Sequence, residues 1–302
     1  MNTLKKLNIS LSLVFNLIQE QFPQWAHLTI KPVEQSGWDN ITFRLGEEML
    51  IRLPSGQEYA EQVLKEQKWL PFLAQHLSCA IPHPICLGKP SEKYPFHWSI
   101  YQWIPGSNAD TLLVSEQPQF AQDIAGFLKE LHAIDTKGGP LPGAHNFWRG
   151  ASPSIYNTET QLALTQLKEI INVNVAAQVW ESAIHCSAWH KNPVWIHGDF
   201  SIGNILIDKG HLVAVIDFGC LGIGDPACDL VIAWNFLTPE SRALFKSHLG
   251  LDSDTWARAR GWGMWKALIT LAAFEDKNCP NALKMKYIID EIIADYKLDK
   301  TV

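Results

Sequence analysis

Three polar residues, Asp199, Asn204 and Asp217, have types and a spacing that could act together on a phosphate group. Asn204 follows Asp199 by five positions, and Asp217 follows Asn204 by thirteen. The apolar runs 205–207 and 212–216 are joined at a glycine-containing turn, which predicts a β-hairpin. Folding of this hairpin would bring Asp217 back beside Asn204, below the loop that carries Asp199.

This arrangement has a definite chemical use. A carboxylate and an amide oxygen, from Asp217 and Asn204, can hold Mg²⁺, which prefers oxygen ligands and substrate phosphates. The carboxylate of Asp199 then remains to orient a hydroxyl group. Together they form the minimum apparatus for moving a phosphoryl group from ATP or GTP to an alcohol. A polar hairpin followed by a helix cap is the alternative, and it leaves the three oxygen donors unexplained.

The same stretch carries a family resemblance. Its spacing matches the catalytic loop and D-F-G of protein kinases, but it opens with His-Gly-Asp instead of His-Arg-Asp. The combination H-G-D-x-x-x-x-N, I-D-F-G and G-D-P-x-x-D-L resembles the aminoglycoside phosphotransferase family, over residues 35–276. The resemblance implies a two-lobed α+β kinase-like fold, with a nucleotide-binding lobe at 1–104 and a catalytic and substrate-binding lobe at 105–302.

The resemblance also implies a role for each motif residue. Asp199 would be the catalytic base, and Asn204 and Asp217 would hold Mg²⁺. His197 would pack beneath the catalytic loop in a structural role. Asp229 follows Asp-Pro in an apolar segment, where a buried carboxylate needs partners, and would bind the backbone of that loop.

The N-terminal part predicts a second hairpin, with strands at 41–45 and 49–53. The loop before it contains Ser36, Gly37 and Asn40, in the position of a nucleotide-covering loop. Its backbone N–H groups, with Ser36 and Asn40, could face phosphates. A plain β-turn is the alternative, because the loop has only one glycine.

Arg52 lies in the second strand of this hairpin, where the family places a phosphate-pairing lysine. Its planar guanidinium suits phosphate oxygens. A helix predicted at 58–77 follows, and Glu66 borders its apolar face, so Glu66 is the favoured partner of Arg52. Glu58 and Glu61 are alternatives.

Two further sites are predicted from the resemblance. The strand at 98–104 leads into the linker between lobes, where backbone groups of Gln102 and Ile104 would bind the nucleobase. A helix predicted at 255–276 would wall the acceptor pocket. Its candidate substrate-binding residues are two aromatic and two acidic side chains: Trp262, Trp265, Glu275 and Asp276.

Composition limits the classes of protein that remain. The chain has 302 residues, 47% hydrophobic and 19% charged, enough for two packed lobes. A net charge of −6 argues against a nucleic-acid partner. Six cysteines without a C-x-x-C pair are typical of reduced thiols, and no apolar run reaches membrane-spanning length, so we expect a cytoplasmic protein without a membrane partner. Apolar residues at helical spacing predict an amphipathic helix near the N-terminus: Leu4, Leu7, Leu11, Val14, Phe15 and Ile18.

The favoured function is phosphoryl transfer to a hydroxyl of an aminoglycoside-like small molecule. A metabolic kinase for choline, homoserine or a sugar would carry the same motifs. A nucleotide-binding pseudokinase is a third hypothesis, which the presence of all three base and metal residues disfavours. A protein kinase is excluded, because the segment between Asp217 and Asp225 is too short for a peptide-binding activation loop.

Overall fold

The structure is a computed structural model that describes residues 7–33 and 39–300. Its strands are β1 (Ile30–Pro32), β2 (Asn40–Leu45), β3 (Met49–Pro54), β4 (Pro84–Gly88), β5 (Trp98–Gln102), β6 (Ser107–Asn108), β7 (Val194–Ile196), β8 (Ile205–Asp208), β9 (His211–Val215) and β10 (Gly222–Gly224). Its α-helices are α1 (Leu11–Gln21), α2 (Ala60–Leu73), α3 (Gln117–Ala133), α4 (Asn157–Gln166), α5 (Val173–His185), α6 (Ile232–Asn235), α7 (Pro239–Leu249), α8 (Ser253–Ala273) and α9 (Pro280–Asp299).

The N-terminal part is built on an antiparallel sheet with the strand order β1-β2-β3-β5-β4. The predicted hairpin is confirmed as β2 and β3, which pair from Asn40 opposite Pro54 to Leu45 opposite Met49. Alternate residues of these strands, such as Phe43 and Leu45 or Ile51 and Leu53, are buried, as expected for a sheet with one covered face.

Helix α1 covers that apolar face. It begins after Ser10, whose Oγ accepts the N–H of Leu13 at 3.2 Å, as an N-cap does. The helix itself is confirmed, but its buried stripe is Val14, Leu17 and Ile18. Three residues of the predicted stripe are exposed instead. Leu7 precedes the helix, and Leu11 and Phe15 face solvent because the helix meets the sheet along a neighbouring row of side chains. Leu4 lies outside the described residues.

Helix α2 follows β3 and carries Glu66 inward. It ends at Leu73, four residues before the predicted end. Leu64 is exposed, whereas Glu66 is 3% exposed and so lies within the buried face rather than at its border. A fully buried carboxylate needs charged or hydrogen-bonding partners, and the sheet beside α2 provides them.

The remainder of the chain is mostly helical and encloses a larger core. The hairpin predicted after Asn204 is confirmed as β8 and β9, and short β7 pairs with β10. Helices α4 and α5 precede β7, and the helix predicted at 255–276 runs as α8. The buried cluster includes six tryptophans: Trp180, Trp195, Trp234, Trp256, Trp262 and Trp265.

The transition from sheet to helices after β5 agrees with the predicted α+β architecture. The boundary between residues 104 and 105 stays a prediction. None of the helices within residues 7–33 and 39–300 is long and apolar enough to cross a membrane.

Candidate active site

A cleft of about 330 Å³ lies between the N-terminal sheet and the β8–β9 hairpin. Its volume is within the range of small-molecule sites. One part is apolar, with Val33 and Leu50 from the sheet and Leu206 and Ile216 from the hairpin. The polar groups at the cleft include Asn40, Arg52, Asn204 and Asp217. A ligand with a flat apolar ring and a charged tail would match both parts.

The hairpin places two of the predicted residues at this cleft. Residues 205 and 215 are paired, and the N–H of Ile216 donates to the carbonyl of Asn204 at 2.8 Å. Asp217 follows in a left-handed conformation, with φ of 65° and ψ of 64°. Aspartate tolerates this conformation better than most L-residues do. The predicted return of Asp217 to the neighbourhood of Asn204 is therefore confirmed.

Asn204 also contacts the third residue of the motif. Its Nδ2 donates to the backbone carbonyl of Asp199 at 2.9 Å and to Asp199 Oδ2 at 3.2 Å. The amide nitrogen is thus engaged with the loop that carries Asp199, and Oδ1 of Asn204 takes no part in these two bonds. The Asp199 side chain is exposed to solvent.

Arg52 joins the two halves of the cleft. Its Nη1 lies 3.1 Å from Glu66 Oε1, which confirms the predicted pairing of strand and helix. Its Nη2 forms an ion pair with Asp217 Oδ1. The hydroxyl of Tyr101, on β5, donates to Glu66 Oε2 at 2.5 Å. Glu66 is therefore satisfied by one charged and one neutral donor, and the Arg52 guanidinium is held at the polar end of the cleft.

At the polar end of the cleft, negatively charged side chains outnumber positively charged ones. Burial favours a raised pKa for Asp217, but the charge and hydrogen bond of Arg52 outweigh it and hold the pKa below its ordinary value. For Asp39, burial and repulsion from Asp217 and Asp199 raise the pKa to about 6. A divalent cation would relieve this repulsion. One carboxylate and one amide oxygen, completed by phosphates and water, form a donor set that fits Mg²⁺.

The loop that carries Asp199 is held from behind by Asp229. The two carboxylate oxygens of Asp229 accept the N–H groups of His197 and Gly198, each at 2.7 Å. The Asp199 N–H donates to Nδ1 of His197 at 3.2 Å, so His197 must carry its proton on Nε2, which lies 3.0 Å from the carbonyl of Ile216. His197 is fully buried. The predicted structural positions of His197 and Asp229 are confirmed.

Of the two residues predicted to contact the nucleobase, Ile104 lines the other part of the cleft, together with Tyr101 and Trp103. Gln102 is the last residue of β5, and its N–H donates to the carbonyl of His83, just before β4, at 3.0 Å. Asn40 lines the cleft, whereas Ser36 and Gly37 lie outside the described residues.

The predicted acceptor wall is arranged differently from what the sequence suggests. Helix α8 ends at Ala273, so Glu275 and Asp276 stand in the exposed α8–α9 loop, where Asp276 Oδ1 accepts the Asn278 N–H at 2.8 Å. Trp262 and Trp265 are 2% and 5% exposed, because helix α8 turns them into the core. They are placed to support the site and not to form an open aromatic wall.

Several residues at the site were not found by sequence reasoning. Asp39 adjoins a strand that the sequence predicts but is not part of a motif, and Tyr101 was expected only behind the nucleobase, not as a hydrogen-bond donor to Glu66. Glu159 accepts the Nε1–H of Trp265 at 3.1 Å, and Arg149 reaches the catalytic loop from a distant segment. Their signals are weak, since isolated polar residues in loops and short helices are common on protein surfaces.

The sequence of this chain matches a family of known proteins. Residues 29–262 match the model of the "Phosphotransferase enzyme family". The chain is 32% identical over 153 residues to an aminoglycoside 3'-phosphotransferase of Escherichia coli, an alignment covering 49% of this chain and 56% of that protein. The chain thus spans little more than half the length of this curated relative.

Solved structures show the same fold. The GDP and kanamycin complex of APH(2")-IIia has a TM-score of 0.73 and 19% identity, covering 93% of this chain and 98% of that one. The macrolide 2'-phosphotransferase MphH from Brachybacterium faecium has a TM-score of 0.59 and 18% identity, with 93% and 97% of the two chains covered. Because the family model covers most of the chain, including Arg52, Asp199 and Asp217, this protein belongs to the phosphotransferase enzyme family.

Proposed function

We propose that this protein is a Mg²⁺-dependent phosphotransferase that moves the γ-phosphate of ATP or GTP to a hydroxyl group of a small molecule. The observation that carries the proposal is the meeting of Arg52, Asn204 and Asp217 at one end of a cleft, next to Asp199. The apolar part of the cleft suits a nucleobase, and its polar end suits phosphates.

Each side chain has a separate task. Asp199 orients the acceptor hydroxyl and takes its proton, while Asn204 and Asp217 hold the metal. Arg52, braced by Glu66, steadies the phosphates. When bound, Mg²⁺ neutralises charge on the transferring phosphoryl group. Catalysis is mainly positioning and charge neutralisation.

The remaining nucleotide contacts come from backbone groups. Gln102, at the end of β5, and Ile104, in the segment after it, would bind the edge of the nucleobase through backbone groups, beside Tyr101. Ser36, Gly37 and Asn40 would cover the phosphates. The nucleotide-bound relatives by fold support a nucleotide in this position.

The acceptor is proposed to be aminoglycoside-like. Two observations support this choice: the named activity of the curated relative, and the net charge of −6, which attracts a cationic molecule. The macrolide enzyme of the same fold makes macrolides a necessary comparison in any assay. The protein is expected to act in the cytoplasm.

A transfer assay tests the proposal. Purified protein with Mg²⁺ and γ-labelled ATP or GTP is offered aminoglycosides, macrolides, choline, homoserine and simple sugars in separate reactions. We expect label to move to an aminoglycoside hydroxyl. In Asp199→Asn the rate should fall by more than about 10²–10⁴-fold, since acid–base help and hydroxyl positioning are both lost.

The other outcomes are informative. Label on choline, homoserine or a sugar alone would identify a metabolic kinase. Binding of Mg²⁺–nucleotide without transfer to any acceptor would identify a pseudokinase. Near-normal transfer by Asp199→Asn would overturn the assignment of the base.

A further inference from the structure

The segment from Gly143 to Gly150 packs against the catalytic loop. Asn146 is fully buried, accepts the Gly143 N–H at 3.0 Å and donates to the carbonyl of Arg149 at 3.1 Å. The carbonyl of Gly150 accepts the N–H of Asp225 at 2.8 Å. The backbone on both sides of Arg149 is therefore fixed before its side chain makes any contact.

The guanidinium of Arg149 extends to the catalytic loop. Its Nε donates to the carbonyl of Gly198 at 2.8 Å. Its Cζ lies 5.0 Å from the ring centroid of Trp262 and 5.2 Å from that of Trp265. Tyr156 stacks on Trp265 with a centroid separation of 3.9 Å. The buried indoles thus form a rigid surface that directs the cation, as cation–π contacts do.

This contact completes the support of one peptide group. The carbonyl of Gly198 and the N–H of Asp199 belong to the same peptide plane. Arg149 holds the oxygen of this plane, and Nδ1 of His197 holds its N–H at 3.2 Å. Asp229 holds the preceding N–H of Gly198. The direction in which the Asp199 side chain leaves the backbone depends on the orientation of this plane.

We propose that Arg149 is a positioning residue for phosphoryl transfer, acting through its Nε–H bond to the Gly198 carbonyl. The bond fixes the peptide plane from which Asp199 projects toward the acceptor. This inference rests on the proposed function of Asp199 as the base. It also gives Trp262 and Trp265 a role, because their rings hold the guanidinium of Arg149 in place against the catalytic loop.

Two substitutions separate the hydrogen bond from the rest of the side chain. In Arg149→Gln, the amide nitrogen occupies the same place along the side chain as Nε, so a donor is kept while the charge is lost. In Arg149→Met, a methyl group stands at that place and no donor remains. Arg260→Met is the matched control, because Arg260 lies on α8 and pairs with Asp295 at 3.0 Å, with Asp299 as a second partner.

Steady-state kinetics with the acceptor found in the transfer assay, together with thermal unfolding, test the inference. We expect Arg149→Met to lower kcat by about 10–100-fold, the loss of one charge-assisted hydrogen bond, with the KM for nucleotide nearly unchanged. Arg149→Gln should recover part of the loss, because its neutral amide still donates a hydrogen bond but a weaker one. Arg260→Met should lower Tm and leave kcat near that of the wild type.

The inference is overturned if Arg149→Met and Arg260→Met both lower Tm with kcat retained, or if Arg149→Gln and Arg149→Met lose kcat equally. If Arg149→Met does not fold, Arg149→Lys replaces it, since lysine keeps a cation over the indoles but has a methylene at the place of Nε. A wild-type kcat in the lysine variant would then reject the role. Asp199→Asn distinguishes the two proposals: if it is inactive and Arg149→Met is not impaired, only the role of Arg149 fails.

Discussion

Asp217, the proposed metal ligand, has a fixed backbone conformation and a fixed charge in the structure. It is held in a left-handed backbone conformation, and residues in such conformations cluster at functional sites. Arg52 keeps its carboxyl group ionised by lowering its pKa, although burial opposes this. The carboxylate is therefore charged at neutral pH and fixed in direction, which reduces the reorganisation that binding of a cation would require.

We predict that Asp217→Asn weakens Mg²⁺–nucleotide binding as well as turnover, because one anionic ligand is lost. Loss of even an outer partner of a metal commonly costs 10–100-fold in affinity, so an effect of at least about 10-fold is expected. Nucleotide affinity is measured over a series of Mg²⁺ concentrations. Asp208→Asn, an exposed acid at the end of β8, is the control. Unchanged affinity and metal dependence in Asp217→Asn would show that Asp217 is not a ligand.

At the scale of elements, the contacts that hold Arg52 at the polar end of the cleft come from three neighbouring elements. Strand β3 supplies Arg52, strand β5 supplies Tyr101, and helix α2 supplies Glu66. Arg52 on β3 is paired with Ser99 on β5, and Tyr101 lies two residues after Ser99 on β5. A small shift of α2 would take the buried carboxylate of Glu66 away from its partners, which would cost free energy. The position of α2 and the position of the Arg52 guanidinium are therefore linked.

We predict that Arg52 and Glu66 are energetically coupled in catalysis. A double-mutant cycle with Arg52→Met and Glu66→Gln, measured on kcat/KM, should give an interaction energy of about 0.5–3 kcal/mol. The matched cycle uses Glu61→Gln, an exposed acid on the same helix, and should be close to additive. Additive losses for Arg52 and Glu66 would mean that the contact does not matter to catalysis.

At the scale of the whole molecule, Lys65 connects α2 to the segment that carries Arg149. Its Nζ lies 3.0 Å from Nδ1 of His145 and 3.2 Å from the carbonyl of His145. Burial lowers the pKa of Lys65 to about 8, although Glu66 and Glu61 oppose this. Burial also lowers the pKa of His145, which keeps its imidazole neutral and able to accept from the ammonium group.

This pKa predicts a pH dependence of stability. Between about pH 8 and 10.5, Lys65 is deprotonated in the folded protein. In the unfolded chain, where lysine has its ordinary pKa of 10.5, the same group still binds a proton in this range. Stability from this group therefore rises with pH across that window. The difference in unfolding free energy between wild type and Lys65→Met should increase from pH 8 to 10.5, as measured by chemical denaturation. Lys68→Met, at an exposed position of the same helix, is the control, and its difference in unfolding free energy from the wild type should not change with pH. A pH-independent difference for Lys65→Met would contradict the prediction.

The charge of the whole molecule predicts how a cationic acceptor binds. Its KM should rise with ionic strength, because exposed attractions are screened over about 8–10 Å at physiological salt. The double variant Glu275→Gln/Asp276→Asn should raise KM with less effect on kcat, as expected for uniform binding energy. Glu92→Gln, in the exposed loop between β4 and β5, is the control. A KM that does not respond to salt or to the double variant would remove these acids from the acceptor site.

The sequence alone determined the central part of the candidate site. The hairpin between Asn204 and Asp217 is local, and its apolar runs and turn specify the register over a few residues. The pairing of Arg52 with Glu66 was expected from the resemblance to kinases, in which a strand lysine pairs with an acid on the following helix, and from the position of Glu66 beside the apolar face, with Glu58 and Glu61 as alternatives. Short-range patterns of this kind are independent of the rest of the fold.

Only the tertiary structure decided what surrounds that part. Arg149 meets Gly198 across 49 positions of sequence, and the buried orientation of Trp262 and Trp265 depends on how α8 lies against its neighbours. Helix α8 likewise ends at Ala273, so Glu275 lies in the loop that follows it. Such contacts depend on the relative positions of whole elements, which are set by the packing of a shared core and not by the residues near each side chain.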